Sequence, residues 1–340
     1  MTQQAIQNGA RQAVENCVRV QANERVVIVT DRQTGYLADA LIEICHTIGA
    51  QTERFVMEDF GTRSPDGSNP LAFDATLGAA LAQAQASFYI AQCLPGELAS
   101  FRQPMIHVIE KNGLRHGHMP GFTEIMMSQG MAADYSRIQA LCLKVYEIVA
   151  PAREIHVTTA AGTDLVAQFD PTIKWIISDG QITPDQWKNL PDGEDFTAPA
   201  TADGTVVIDG CLGDFFCDKY GLMDKTPLRY RLKDGFCQAD SVRCDHESLR
   251  RDFLAYTFET DEFSMRLGEF AIGTNIGLKE LIGNLLQDEK YPGIHLALGS
   301  PYPTKTGADW NSRAHCDGIL RNPTIVVDGR TLMERGRFTI

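Results

Sequence analysis

The chain has 340 residues, 44% of them hydrophobic and 22% charged, with a formal net charge of -13 at pH 7. That length is ample for a buried core, in two domains or one large one, and the composition is that of a globular protein. The acidic balance argues against nucleic acid and against an anionic membrane surface as partners, since both require a positive face.

The opening MTQQAIQNGARQAVENC lacks the basic and apolar regions of a secretory signal. No apolar run approaches the ~20 residues of a membrane helix. A cytoplasmic location is the expectation. The nine cysteines, at 17, 45, 93, 142, 211, 217, 237, 244 and 316, form no C-x-x-C pair and read as reduced, mostly buried thiols.

In chain order, RVVIVTD (25–31) predicts a buried strand, and TGYLADALIEICHTIGA (34–50) repeats apolar residues at helical spacing. QTERFVMED (51–59) and ASFYIAQC (86–93) predict further strands, with a helix over PLAFDATLGAALAQAQ (70–85) between them. This alternation implies a doubly wound, largely parallel α/β domain over 1–150. No G-x-G-x-x-G follows the first strand, so no dinucleotide site is indicated. HGHMP (116–120) has His-x-His spacing without an adjacent carboxylate and reads as structural. The stretch 122–150 predicts one long helix that bridges to the second half.

From 151 to 340 the pattern becomes a β-rich α+β domain. EIHVTTAAGTDLVAQFD (154–170) alternates about a glycine turn as a hairpin does. TVVIDG, PLRYRLKDGFCQADSV, IHLALG and TIVVDG continue as strands, and DGRTLMERGRF predicts a terminal hairpin with a basic edge. SLRRDFLAYTF (248–258) and TNIGLKELIGNLLQ (274–287) predict helices, the first capped by Asp245 in the polar run Cys244-Asp245-His246-Glu247.

Chemistry concentrates near the C-terminus. In a strand, His315 and Asp317, two apart in RAHCDG, point the same way and leave Cys316 facing away. A neutral imidazole beside a carboxylate is a start to a divalent-metal site. His295 stands in the apolar strand GIHLALG, where an unpaired imidazole is costly. Tyr302 sits in the constrained turn SPYP, Glu269 in the apolar run RLGEFAIGTN, and Glu194 among Pro and Gly in NLPDGEDFTAP.

These four segments, LPDGEDFTAP, LGEFAIGTN, DEKYPGIHLALGSPY and GADWNSRAHCDG, occur in the order found in the M29 metallo-aminopeptidases, the aminopeptidase T/S family. The chain resembles that family over 190–318, as a short-form member. The resemblance implies that Glu194, Glu269, Glu289, His295, His315 and Asp317 bind two divalent ions (Zn, Co or Mn). Glu289 is one residue out of the family spacing, so Asp288 is its rival. Tyr302 and Glu194 become the catalytic side chains of an aminopeptidase that acts on a peptide or small amide through activated water, in a homodimer, with a specialised amide hydrolase as the alternative. Four carboxylates balance two divalent cations while the imidazoles stay neutral. The scaffold is also similar to ring-cleaving dihydroxypyridine dioxygenases, which keep the terminal His-x-Asp on one ferrous ion and carry histidine at the counterpart of Glu269. Retention of Glu194, Glu269, His295 and Tyr302 favours the hydrolase over that oxygenase and over a non-catalytic metal binder.

Overall fold

Short apolar runs punctuated by turns produce two compact units in the structure, a computed structural model that describes residues 3–340. One unit holds the residues up to Arg137 together with Gly180–Asp192; the other holds Ile138–Asp179 and Gly193–Ile340.

The first unit is built on a five-stranded parallel sheet. Its order is Gln51–Val56, Arg25–Thr30, Ala86–Ala91, Arg115–Pro120 and Lys188–Asn189. Arg25–Thr30 buries every residue after Arg25, as a strand covered on both faces must. The helix Gly35–Ile48 stops at Gly49, whose φ of 88° lets its N–H return to the carbonyls of Cys45 and His46. The helix anticipated over 70–85 is only Ala75–Leu81, because Asp74 caps it by accepting from the Thr76 N–H. Among the elements that escaped the sequence pattern are the helices Gln3–Arg11 and Gln103–Asn112 and the strand Arg115–Pro120, which contains the His-x-His pair.

The single helix anticipated over 122–150 is interrupted. It divides into Glu124–Ser128 and Tyr135–Val149. Asp134 caps the second piece, its Oδ1 accepting from the Ser136 N–H at 3.0 Å. Val145 and Val149 of that second helix belong to the main apolar core of the second unit, beside Ile155, Val157 and Leu165.

The second unit contains two antiparallel sheets. The larger runs Phe236–Cys237, Leu228–Lys233, Thr201–Ile208, Asp164–Gln168, Glu154–Thr158, Thr324–Val327, Arg330–Glu334, Arg337–Phe338. Its terminal hairpin turns at Asp328 and Gly329, both with positive φ, the backbone that an Asp-Gly hairpin turn requires. The smaller sheet runs His315–Leu320, Gly293–Gly299, Leu267–Gly273, Glu194–Thr197, Ile176–Ser178. An α/β unit with a parallel sheet is thus joined in the chain to a β-rich unit, the fold class anticipated from the pattern.

Two local expectations are corrected. TNIGLKELIGNLLQ is mostly irregular, with a helix only over Leu285–Asp288. The Asp288 carboxylate takes the N–H groups of Ile282 and Gly283, which folds the segment into a turn. The helix Glu247–Glu259 is capped by His246, whose Nδ1 accepts from the Leu249 N–H, and not by Asp245.

Candidate metal centre

The register of the smaller sheet assembles the donors. Glu269 lies opposite Ala297, and Ala297 opposite Asp317, so one row across three strands reads carboxylate, methyl, carboxylate. Cross-strand partners share a face, as do residues two apart on a strand. The rows on either side therefore add His295 between Ala271 and Ile319, and His315 opposite Gly299. Glu194 joins the same face opposite Gly273. Small residues flank the large donors and leave them room to converge. On the reverse face Phe270, Ile272, Ile294, Leu296, Leu298 and Cys316 enter the apolar core.

Two glycines allow the chain to bring in the remaining groups. Gly299 has a φ of 115°, and a Cβ there would lie 2.2 Å from the Ala314 carbonyl oxygen; it turns the strand toward Tyr302. At Gly273 a Cβ would meet the Tyr291 carbonyl oxygen at 2.0 Å, so only glycine lets the Glu289–Tyr291 segment pass against the strand end.

The imidazoles face carboxylates at close range. His315 Nε2 lies 3.1 Å from Glu269 Oε2 and 3.4 Å from Asp317 Oδ1. His295 Nε2 lies 3.5 Å from Glu194 Oε2, 3.7 Å from Glu269 Oε1 and 3.9 Å from Asp317 Oδ1. His315 is oriented twice over: its Nδ1 meets the Ser300 carbonyl at 3.1 Å, and the Tyr256 hydroxyl accepts from its backbone N–H while donating to its carbonyl. Tyr302 adopts the left-handed region, with φ 51° and ψ 60°, and its ring stands 4.7 Å from that of His315 and 5.9 Å from Phe196.

Lys290 completes the cluster. Its Nζ is 2.6 Å from Glu194 Oε1 and 2.7 Å from Glu289 Oε1, with 5% of the side chain exposed. Asp288, the alternative to Glu289, is committed to the Ile282–Gly283 turn and stays out of the cluster. Glu289 instead groups with His295 and Asp317.

Charge distribution follows from burial and proximity. Burial alone disfavours charge on His295, but the hydrogen bond to Glu269 and the charges of Glu194 and Asp317 push it up to about 9. His315 rises well above its ordinary value because Asp317 and Glu269 outweigh burial. The same two imidazoles hold Glu269 below the usual carboxylate range against its burial, and His315 foremost does so for Asp317. Glu289 moves the other way, to about 8, because burial and then Glu194 and Asp317 oppose its charge more than Lys290 favours it. Enclosure of its hydroxyl end, followed by the surrounding carboxylates, raises the Tyr302 phenol, although 38% of the residue as a whole is exposed.

The donor set fits a divalent cation. Ligand bonds of about 2.0–2.2 Å place neighbouring donor atoms roughly 3–3.5 Å apart, close to the separations around both imidazoles. Asp317 Oδ1 is buried without a hydrogen-bond partner, a cost that a cation beside it would relieve. Among the described residues two groups satisfy close convergence, Glu269–His315–Asp317 and Glu289–His295–Asp317, and Asp317 is common to both. The sequence pattern did not reveal Lys290 or Tyr256. A lysine in a polar turn and a tyrosine on an amphipathic helix carry no spacing that marks them.

Fold and cluster together define a metal-dependent enzyme scaffold. Residues 6–267 match the family model described as NicX: 2,5-dihydroxypyridine 5,6-dioxygenase, and the chain belongs to that family. Among solved structures, the chain is similar to 2,5-dihydroxypyridine dioxygenase from Pseudomonas putida KT2440, with a TM-score of 0.68 at 18% identity over 100% of this chain and 98% of that one. It is similar also to wild-type AmpT from Thermus thermophilus, with a TM-score of 0.71 at 18% identity over 99% of each chain. At that identity both likenesses speak for the fold. No curated protein matches the chain. The family match ends at residue 267, so of the six donors only Glu194 lies within it. Among the described residues no helix is long and apolar enough to cross a membrane.

Proposed function

We propose that this protein is a metal-dependent hydrolase that removes N-terminal residues from peptides or small amides bearing a free amine. The observation that carries this reading is the excess of carboxylate: Glu194, Glu269, Glu289 and Asp317 converge on two imidazoles. Oxygen-rich sites of this kind suit hard or borderline ions such as Zn, Co or Mn, whereas oxygenase iron centres characteristically use two histidines and one carboxylate. A bound divalent ion supplies Lewis acidity, which activates water and polarises an amide carbonyl. The carboxylates beyond the ion's needs, only partly countered by the Lys290 ammonium, attract the substrate's ammonium group. Tyr302, with its phenol kept protonated, is placed beside His315 to donate a hydrogen bond to the developing oxyanion. Water adds its oxygen to the carbonyl carbon and a proton to the departing amine as the amide bond breaks.

The test uses protein loaded anaerobically with Zn, Co or Mn. Release of amino acids from free peptides, and little from the N-acetylated forms, is expected. Tyr302→Phe should retain metal and lose roughly 10²–10³ in turnover, the scale of one oxyanion donor.

A second reading, a ring-cleaving dioxygenase, is favoured by family membership and by the nearness of both imidazoles to Asp317 Oδ1, at 3.4 and 3.9 Å. It requires ferrous iron and O₂ uptake with a dihydroxypyridine. That result, with no peptide cleaved under any of the three metals, overturns the hydrolase.

A further inference from the structure

The sequence expectation of two ions set four carboxylates against two divalent charges. That count omits a cation the chain carries itself. Lys290 Nζ bridges Glu194 Oε1 and Glu289 Oε1 at 2.6 and 2.7 Å, and only 5% of the side chain reaches solvent. Two carboxylates brought together away from water need a positive charge between them, and here it arrives on a covalent tether. The tether is short and fixed. The Lys290 carbonyl accepts from the Asn275 N–H, and Asp288, two residues earlier, is pinned to the Ile282–Gly283 turn.

The two candidate donor groups are unequal in this respect. Glu269, His315 and Asp317 converge with their imidazole oriented by the Ser300 carbonyl. In the other group, Glu289 already holds the ammonium. A divalent ion entering there would share its Glu289 ligand with a positive charge less than 3 Å from that carboxylate, and Glu194, the nearest further donor, holds the same ammonium.

We propose that Lys290 acts as the built-in second cation of the centre, so that the protein takes one divalent ion, on Glu269, His315 and Asp317, with the ammonium in the place of another. This rests on the cluster being a metal centre, and it holds for a hydrolase or an oxygenase alike. It makes Lys290 a positioning residue that sets metal count and holds Glu194 and Glu289 in place.

The experiment is metal stoichiometry without substrate: purified protein is equilibrated with saturating Co²⁺ or Zn²⁺ alone, dialysed, and the bound metal counted by elemental analysis. One ion per chain is expected in the wild type and two in Lys290→Met and Lys290→Gln. In Lys290→Met combined with Glu289→Gln the count should return to one. Circular dichroism confirms that the variants are folded, and the wild-type count stands even if they are not. Two ions in the wild type, or one ion in both folded single variants, overturns the proposal and leaves the metal centre intact. No bound metal in any of these proteins overturns the centre and the proposal together.

Discussion

His116 and His118 stand two residues apart on a strand of the parallel sheet, and His295 and His315 stand on adjacent strands of the smaller antiparallel sheet. The first pair is fully inside its unit. His116 Nδ1 meets Ser87 Oγ at 2.8 Å, the two rings meet through Nε2 and Nδ1 at 3.1 Å, and His118 stacks on Tyr89. Burial holds His116 down to about 3 and, with His116 and Arg102 adding to it, carries His118 well below its ordinary value. His295 is as deeply placed and His315 less so, with 21% of its side chain exposed, yet both are driven upward by the carboxylates around them. Depth alone therefore says nothing about an imidazole's role. Acidic neighbours divide a packing histidine from one that can exchange its proton for a metal ion.

Removing the acid is the strongest way to break the contrast. Asp317 belongs to both donor groups, so Asp317→Asn should lower metal affinity by well over the roughly 100-fold that lost supporting groups cost. In the metal-free protein His315 should titrate at lower pH, since Asp317 is the foremost group holding it up. Equilibrium dialysis and histidine NMR read the two effects. Metal affinity close to that of the wild type would deny that the carboxylate makes the difference.

An intermediate effect comes from pH, where the two pairs should respond with opposite sign. His116 takes up its proton in the unfolded chain near 6.5 but in the folded one only near 3. Its stabilising contribution is complete above 6.5 and is lost as pH falls, by about 1.4 kcal/mol per pH unit. His295, raised to about 9 in the metal-free protein, contributes fully below 6.5 and loses that contribution as pH rises to 9. Amide protection, corrected for the intrinsic pH dependence of exchange, should therefore fall in Arg115–Pro120 on acidification from 6.5 to 5, and in Gly293–Gly299 on going from 6.5 to 9. Bound metal should shrink the alkaline loss, because an ion on Glu269 and Asp317 takes up negative charge that holds the His295 proton. Parallel behaviour of the two strands would remove the distinction.

The smallest expected effect is at Tyr256, whose hydroxyl grips the His315 backbone from both sides. Tyr256→Phe should weaken metal binding by about 10-fold, the lower end for supporting groups, without changing the count. A titration with Co²⁺ measures it, and an unchanged affinity would show that the strand alone orients the imidazole.

How far the sequence speaks depends on how local the cause is. His315 and Asp317 can be placed on one face, and Cys316 on the other, because strand alternation is fixed within three residues. Glu269 and His295 stand out because a charge or an imidazole in an apolar run must be paired. Lys290 has no such mark: its burial results from Gly273 and Tyr291 meeting at van der Waals range, a contact between distant segments. The choice between Asp288 and Glu289 likewise turned on which carboxylate the Ile282–Gly283 amides claim. The strand at HGHMP escaped because glycine and two histidines carry neither alternation nor β-branching, and its neighbours in the sheet override that weak preference. The helix expected at 274–287 followed apolar spacing, while two glycines and an acid took the amides for a turn.

The strand order also fixes when the centre can come into being. Leu267–Gly273, Gly293–Gly299 and His315–Leu320 follow one another as a meander, so Glu269, His295, His315 and Asp317 come together through short chain closures. Glu194 pairs with Gly273, from which it is separated by about eighty residues that include the outer strands of the larger sheet. Closing so long a loop costs more entropy and is slower than zipping neighbouring hairpins. In refolding, therefore, the meander can offer a cation both imidazoles and two carboxylates before the Glu194 strand docks, and metal added early should speed the closing of this sheet more than metal added late.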